Sequence, residues 1–201
     1  MTEDEARGWV ADRFDAQVAG KLEEMATMIA DETTRQNLIA PSTVAGIWSR
    51  HIVDSLQLAD LAPADGAWLD IGTGGGFPGL AIAIVRDTAV HLVEPRRRRA
   101  AFLEEAAASL GLPHVTVHAC KVEAVAERAK TISARAVGSI AALVEAARHV
   151  ASRDTVWLLP RGRVSAEELA GLSQHARVFH VEQSLTDAES QIVVLRGAFG
   201  R

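Results

Sequence analysis

The sequence predicts an α/β domain: a seven-stranded, mostly parallel sheet that finishes in a terminal β-hairpin, with an N-terminal helical cap. Three observations predict it. From residue 66 onward, short apolar runs alternate with helix-length stretches, as parallel strands do when crossover helices join them. The first run, Trp68-Leu69-Asp70-Ile71, opens directly into a glycine-rich turn, Gly72-Thr73-Gly74-Gly75-Gly76-Phe77-Pro78-Gly79. The last two runs have no helix-length insert between them, so they reverse locally and pair antiparallel.

The elements follow in order. Val10, Phe14, Val18, Leu22 and Met25 fall on one stripe at spacings of three and four, and Val44, Ile47, Trp48, Ile52 and Leu56 form a second. Both are helical periods, and Ser42 or Thr43 after Pro41 is placed to cap the second. These make residues 1–62 the cap, and residues 63–201 the α/β domain. Strands are expected at Ala67–Ile71, Ala89–Glu94, Val115–Ala119, Thr131–Val137, Thr155–Pro160, Arg177–Glu182 and Gln191–Arg196, with helices near 79–86, 97–110, 122–129, 139–150 and 165–174. There are no repeats, low-complexity segments or linker-like stretches.

Composition limits the function classes. A chain of 201 residues, 48% apolar and 23% charged, suits one core-bearing domain with an appendage. A single Cys excludes an internal disulfide framework and any Cys-rich zinc module, and no metal is expected. No apolar run approaches the ~20 residues of a membrane span, and the start, MTEDEARGWV, lacks the basic-then-apolar order of a signal peptide. The expectation is a cytoplasmic protein without a membrane partner.

The net charge of −5 is unevenly spread. Residues 1–34 hold nine acids against three bases, while the remainder holds 17 acids, 18 bases and the run Arg96-Arg97-Arg98-Arg99. The acidic total therefore describes the cap and does not exclude a nucleic-acid partner.

The glycine turn carries the strongest chemical signal. Glycines there permit positive φ and close approach of a ligand to the backbone. The next strand ends in Glu94, about 20 residues beyond the turn, where an acid can take the hydroxyls of a ribose. An adenosine-containing cofactor at the carboxyl edge of the sheet is implied. Gly74, Gly76 and Gly79 formally satisfy the dinucleotide fingerprint, so NAD competes with S-adenosyl-L-methionine (SAM). Asp70, placed just before the turn, would repel a pyrophosphate but suit the ammonium and sulfonium of SAM. The strand count also matches a methyltransferase sheet, and no sequence remains for a separate substrate domain. A Walker A pattern is absent.

Five stretches then identify a resemblance: Asn37-Leu38-Ile39; Arg50-His51-Ile52-Val53-Asp54-Ser55-Leu56; Leu69–Gly79; Ser133-Ala134-Arg135-Ala136; and Leu159-Pro160-Arg161-Gly162. Over nearly its whole length the chain resembles the RsmG (GidB) family of 16S rRNA guanine-N7 methyltransferases. The resemblance implies a Rossmann-like class I SAM-dependent methyltransferase, with SAM as methyl donor. It also implies 16S rRNA or the 30S ribosomal subunit as partner, and guanine 527 of the 530 loop as target. Carried over by position, the family's cofactor contacts fall on Gly72, Phe77, Val122, Glu123 and Arg135, the last expected in the fourth strand facing the cofactor edge. Glu94-Pro95 stands where the family more often has Asp-Ser.

Guanine N7 has an in-plane lone pair and no proton, so this methylation needs no general base and can rest on positioning. No catalytic side chain is assigned. Cys120 follows the third strand and reads as a small buried thiol. For RNA, the basic candidates near the cofactor edge are Arg50, His51, Arg97, Arg161 and Arg163. Arg50 and Asp54, one helical turn apart, also suit an i,i+4 pair. The chain is expected to be a monomer. Two other readings remain at this point: a SAM methyltransferase of a small molecule, and a non-catalytic SAM- or NAD-binding module.

Overall fold

The structure is a computed structural model that describes residues 1–135, 138–165, 167–168 and 178–197. Its N-terminal part is helical, but the first stripe is split in two. Helix α1 (Glu3–Arg13) starts at a capping box: Thr2 Oγ1 accepts from the Glu5 amide and the Glu5 carboxylate accepts from the Thr2 amide. Helix α2 (Ala16–Gln36) starts afresh because Asp15 caps it, accepting from the Val18 amide at 2.9 Å. Asn37, in the left-handed region at φ 49°, ends α2.

The second predicted helix is instead a chain of short turns: a 3₁₀ turn Pro41–Gly46, a π turn Trp48–Val53, one turn of α-helix, α3 (Asp54–Leu56), and a 3₁₀ turn Gln57–Leu61. Neither Ser42 nor Thr43 caps it; the Thr43 hydroxyl bonds back to the Ala40 carbonyl. The amides that open the π turn are met from α1, where the Glu3 carboxylate accepts from Trp48 and Ser49 at 3.1 and 2.8 Å. That acid ties the two halves of the cap together.

The sheet has seven strands: β1 (Trp68–Ile71), β2 (Val90–Val93), β3 (Val115–His118), β4 (Thr131–Ser133), β5 (Val156–Arg161), β6 (Val178–Gln183) and β7 (Gln191–Arg196). Their order is β3-β2-β1-β4-β5-β7-β6. The first five are parallel, and β7 lies antiparallel between β5 and β6. The winding reverses between β1 and β4, which places a ligand crevice over the carboxyl ends of those strands.

Alternation along the strands sorts the core into two faces. On one, the cap, helix α4 (Gly79–Val85) and helix α5 (Arg97–Ser109) share a cluster with Trp68, Leu92 and Leu158. On the other, helix α6 (Ile140–Ala147) packs with Leu69, Val93, Trp157 and Leu159. The cap's Leu22, Met25 and Trp48 belong to the first cluster. Each fully buried side chain of this size contributes about 2–3 kcal/mol through apolar area removed from water.

Three expectations are corrected, and one falls largely outside the described residues. Residues 122–129 form one 3₁₀ turn (Val122–Ala124) and then no regular element, because Ala129 donates to the Val150 carbonyl and His149 bonds the Val125 carbonyl. Strand β4 ends at Ser133, so Arg135 lies beyond it, and residues 136 and 137 are outside the described residues. Most of the helix expected near 165–174, and Arg177, also lie outside them. Cys120 is half-buried at the margin of the second cluster.

Candidate active site

The glycine turn is built mainly by protein contacts. A Cβ on Gly79 would collide with Leu92 and stand 2.7 Å from Asp70 Cβ, so glycine here lets α4 lie directly on the sheet. The Asp70 carboxylate is sealed beneath that approach, fully buried. It accepts from the Gly79 amide at 2.9 Å and from the Ser133 hydroxyl at 2.6 Å. Ser133 in turn accepts from the Trp68 indole N–H at 2.8 Å. Burial outweighs these hydrogen bonds and pushes Asp70 up to about 6. The expectation that Asp70 faces the cofactor's cation is thus corrected: its carboxylate holds the first amide of α4.

Glu94 behaves in the same way. Nearly buried, it accepts from the Gly74 amide at 3.0 Å with one oxygen and from the Arg96 amide at 2.8 Å with the other. It braces the turn, and its neighbour Pro95 meets the cavity described next. Two amides that a pyrophosphate would need are therefore already held by the chain's own carboxylates, which disfavours a dinucleotide more directly than simple repulsion does.

A cavity of about 360 Å³ opens over the carboxyl ends of β1 and β2, a size usual for small-molecule sites. Ile71, Gly72, Val93 and Pro95 line one side and Ala142 and Leu143 of α6 another, with Lys121, Val122, Glu123 and Ser139 completing the lining. Of the residues expected at the cofactor, Gly72, Val122 and Glu123 meet here. Gly74 and Gly76 do not line this cavity, and an added Cβ on Gly76 would press on Leu80 of α4 at 3.3 Å. The contribution of α6 was missed, although Ser139 and the apolar Ala142 and Leu143 follow the fourth strand where a cofactor wall belongs.

Phe77 turns toward the cap. Its buried ring stacks on His51 with centroids 5.0 Å apart, and the Arg135 guanidinium lies 5.3 Å from its centre. Arg135 also reaches Asp54 Oδ2 at 3.4 Å. Neither Phe77 nor Arg135 lines the first cavity. Arg135 leaves the sheet two residues past β4 and is drawn to the cap's carboxylate.

That carboxylate stands beside a second cavity, of about 420 Å³, over the ends of β4 and β5. Arg50, His51, Asp54, Arg135, Arg161 and Asp187 are among its lining residues. Three of the five basic candidates for RNA are thus brought together. Arg97 and Arg163 line neither cavity; Arg97 is exposed on the first turn of α5, and Arg163 pairs with Glu189 at 2.8 Å. The i,i+4 pair is not formed: Asp54 faces Arg135, Thr186 and Ser184, while Arg50 lies 3.8 Å from Asp187.

Burial dominates the electrostatics of this second cavity. It raises Asp54 despite the Arg135 charge and lowers Arg135 despite Asp54. His51 falls to about 3, first by burial and then by the charges of Arg135 and Arg50. Its imidazole is therefore neutral at pH 7, with Nε2 2.8 Å from the Thr43 hydroxyl. The two cavities share the segment after β4: Arg135 faces the second, Gly138 and Ser139 the first.

The sequence matches a known family. The family model described as rRNA small subunit methyltransferase G, GidB, matches residues 19–194. The chain belongs to the GidB family. A protein of Sphingopyxis alaskensis named ribosomal RNA small subunit methyltransferase G is 46% identical over 198 residues, spanning 96% of this chain and 85% of that one. A protein of the same name from Erythrobacter litoralis is 40% identical over 200 residues, spanning 98% and 97%. Among solved structures, the tRNA methyltransferase TrmK of Bacillus subtilis superposes with a TM-score of 0.58 at 16% identity, over 72% of this chain and 66% of that one. The N-terminal domain of EvdMO1, solved with SAH and D-fucose, gives 0.56 at 17% identity, over 74% and 83%. At those identities the likeness is one of fold: a class I methyltransferase sheet. The GidB match extends from α2 to β7 and so takes in most of the cap as well.

Proposed function

We propose that the chain transfers the methyl group of SAM to N7 of guanine 527 in 16S rRNA, within the small ribosomal subunit. One observation carries the reading beyond family membership. An apolar, cofactor-sized cavity and an arginine-lined cavity flank the β1–β4 reversal and share the segment after β4. Bound SAM supplies an electrophilic methyl group. In this reading Gly72, Val122 and Glu123 hold it, with Pro95, Ala142 and Leu143 enclosing the adenine. The donor set fits: apolar walls suit a purine, and the Glu123 carboxylate suits a cationic ligand. Asp70, Gly74, Gly76 and Glu94 shape the turn from behind.

The second cavity receives the target guanine, and Arg50, Arg135 and Arg161 neutralise the neighbouring phosphates. Because N7 presents a lone pair, these residues need only hold the base in line with the methyl group and exclude water. A His51 that stays neutral to about pH 3 fits a site without acid–base chemistry. Arg97 and Arg163 contact RNA outside the cavity. The helical cap (1–62) and the methyltransferase domain (63–201) act as one cytoplasmic monomer on the 30S particle.

The test is incubation with tritiated SAM and 30S subunits from cells that lack the native methyltransferase. Label confined to one N7-methylguanine of 16S rRNA supports the reading. Bound SAM without label in rRNA overturns it, and label in small molecules alone would favour another substrate class.

A further inference from the structure

The turn between β6 and β7 places one acid on Arg50 of the second cavity and another on Arg163 outside it. Asp187 Oδ2 lies 3.8 Å from Arg50 Nη1, and Glu189 Oε2 lies 2.8 Å from Arg163 Nη2. The turn is held to the cap by several independent bonds. The Ser184 and Thr186 hydroxyls donate to Asp54 Oδ1 at 3.5 and 3.1 Å, the Leu185 amide to Gln57 Oε1 at 2.8 Å, and the N-terminal ammonium to the Thr186 carbonyl at 3.1 Å. Within the turn, the Glu189 amide donates to Asp187 Oδ1 at 2.9 Å, leaving Oδ2 toward Arg50. The Gln183 side chain donates to the carbonyls of Asp187, Ala188 and Ser190. Asp187 is thus held, and Glu189 paired, where RNA phosphates would otherwise meet the two guanidinium groups.

We infer that Asp187 and Glu189 are specificity-determining residues, internal carboxylate stand-ins for phosphate on Arg50 and Arg163. This inference rests on the RNA-methylating reading above. A phosphate approaching either arginine must displace a carboxylate or share the cation with it. An RNA held only by its phosphates must displace the carboxylates to gain its contacts and meets that cost in full, because backbone contacts are all it has. An RNA positioned by its target guanine in the cavity can share the cations and meets only part of it. The turn thereby lowers affinity for the many wrong RNAs more than for the right site, which is the negative component of selectivity. It also explains why an RNA-directed chain keeps acids beside its substrate cavity.

The test compares three proteins: the unmodified chain, the double variant Asp187→Asn/Glu189→Gln, and the control Asp12→Asn/Asp31→Asn, which removes the same charge from exposed positions on α1 and α2. The probe is bulk transfer RNA, with tritium transfer to 30S subunits measured in parallel. The double variant should bind transfer RNA about fivefold more tightly, with a steeper loss of affinity as salt rises. The control should change less than half as much, and neither should alter SAM affinity. Discrimination, as kcat/KM on 30S subunits over transfer RNA affinity, should fall in the double variant alone. Unchanged or weaker transfer RNA binding in the double variant overturns the inference, as does an equal gain in the control. Failure of the unmodified chain to label rRNA would instead remove the functional reading, so the two failures are distinct.

Discussion

The Arg135 guanidinium donates to the Asp54 carboxylate at 3.4 Å across 81 residues of sequence, joining the segment after β4 to the cap. Asp54 also accepts from Gln57 at 3.0 Å and Thr186 at 3.1 Å, so one carboxylate ties the cap to the segment after β4 and to the turn between β6 and β7. Asp54→Ala leaves Arg135 poorly compensated where it is largely shielded from water, and should cost about 2–3 kcal/mol of stability. Asp54→Asn keeps an acceptor and should cost less than half of that. Urea denaturation of both variants measures it. Equal losses would mean that charge, rather than hydrogen bonding, sets the contribution.

Gly74 tests the cofactor turn without a steric collision. Its φ is 59°, and the atoms nearest to an added Cβ are 3.7 Å away or more. Asp tolerates that backbone better than most side chains but is still strained there, by about 1 kcal/mol, so Gly74→Asp should fold with a modestly lowered denaturation midpoint. Its new carboxylate, however, sits beside Glu94, whose bond to the Gly74 amide shapes the turn. SAM affinity by calorimetry should fall about tenfold or more, ~1.4 kcal/mol. Unaltered affinity would separate the turn from the cofactor site.

The strands were legible because short apolar runs separated by helix-length stretches and the glycine turn mark them independently, and the hairpin strands because too few residues separate them for a crossover. The buried orientation of Asp70 was not foreseen, yet it was encoded, as was the side to which Glu94 turns. Leu69, Ile71 and Val93 face α6 and the cofactor cavity. Asp70 and Glu94 have the opposite parity and so turn toward the α4 face, where they meet backbone amides. What sequence could not supply was the meeting of distant segments. The contact of Asp54 with Arg135 and Thr186 depends on how the cap closes over the sheet. Short turns also defeated the helical pattern at 41–61, since 3₁₀, π and α turns bury nearly the same apolar positions.

Arg161 ends β5 and lines the second cavity, outside the cofactor cavity. Arg161→Glu should therefore leave SAM affinity within about twofold while lowering kcat/KM on 30S subunits by about 10-fold to 100-fold, as loss and reversal of one phosphate contact would. Calorimetry and tritium transfer measured on the same protein separate the two effects. A matching fall in SAM affinity would place Arg161 with the cofactor instead.

Asp70 and His51 give the fold opposite pH dependences over nearly the same range. Asp70, raised from 3.8 to about 6 by burial, binds its proton more tightly in the folded chain. Its contribution is complete below about pH 4 and is lost as pH rises through 6. His51, lowered from 6.5 to about 3, resists protonation when folded. Its contribution is complete above pH 6.5 and is lost as pH falls toward 3. The two slopes oppose each other between pH 4 and 6, so the unmodified chain should show a shallow stability profile there. Asp70→Asn retains an acceptor for the Gly79 amide and removes one slope, so its stability should rise steeply from pH 4 to 6.5. His51→Gln removes the other, and its stability should fall across the same interval. Each slope should be on the order of 2 kcal/mol. Urea denaturation at pH 4.5, 5.5 and 6.5 distinguishes them; profiles that shift in parallel would show that neither group titrates in this window.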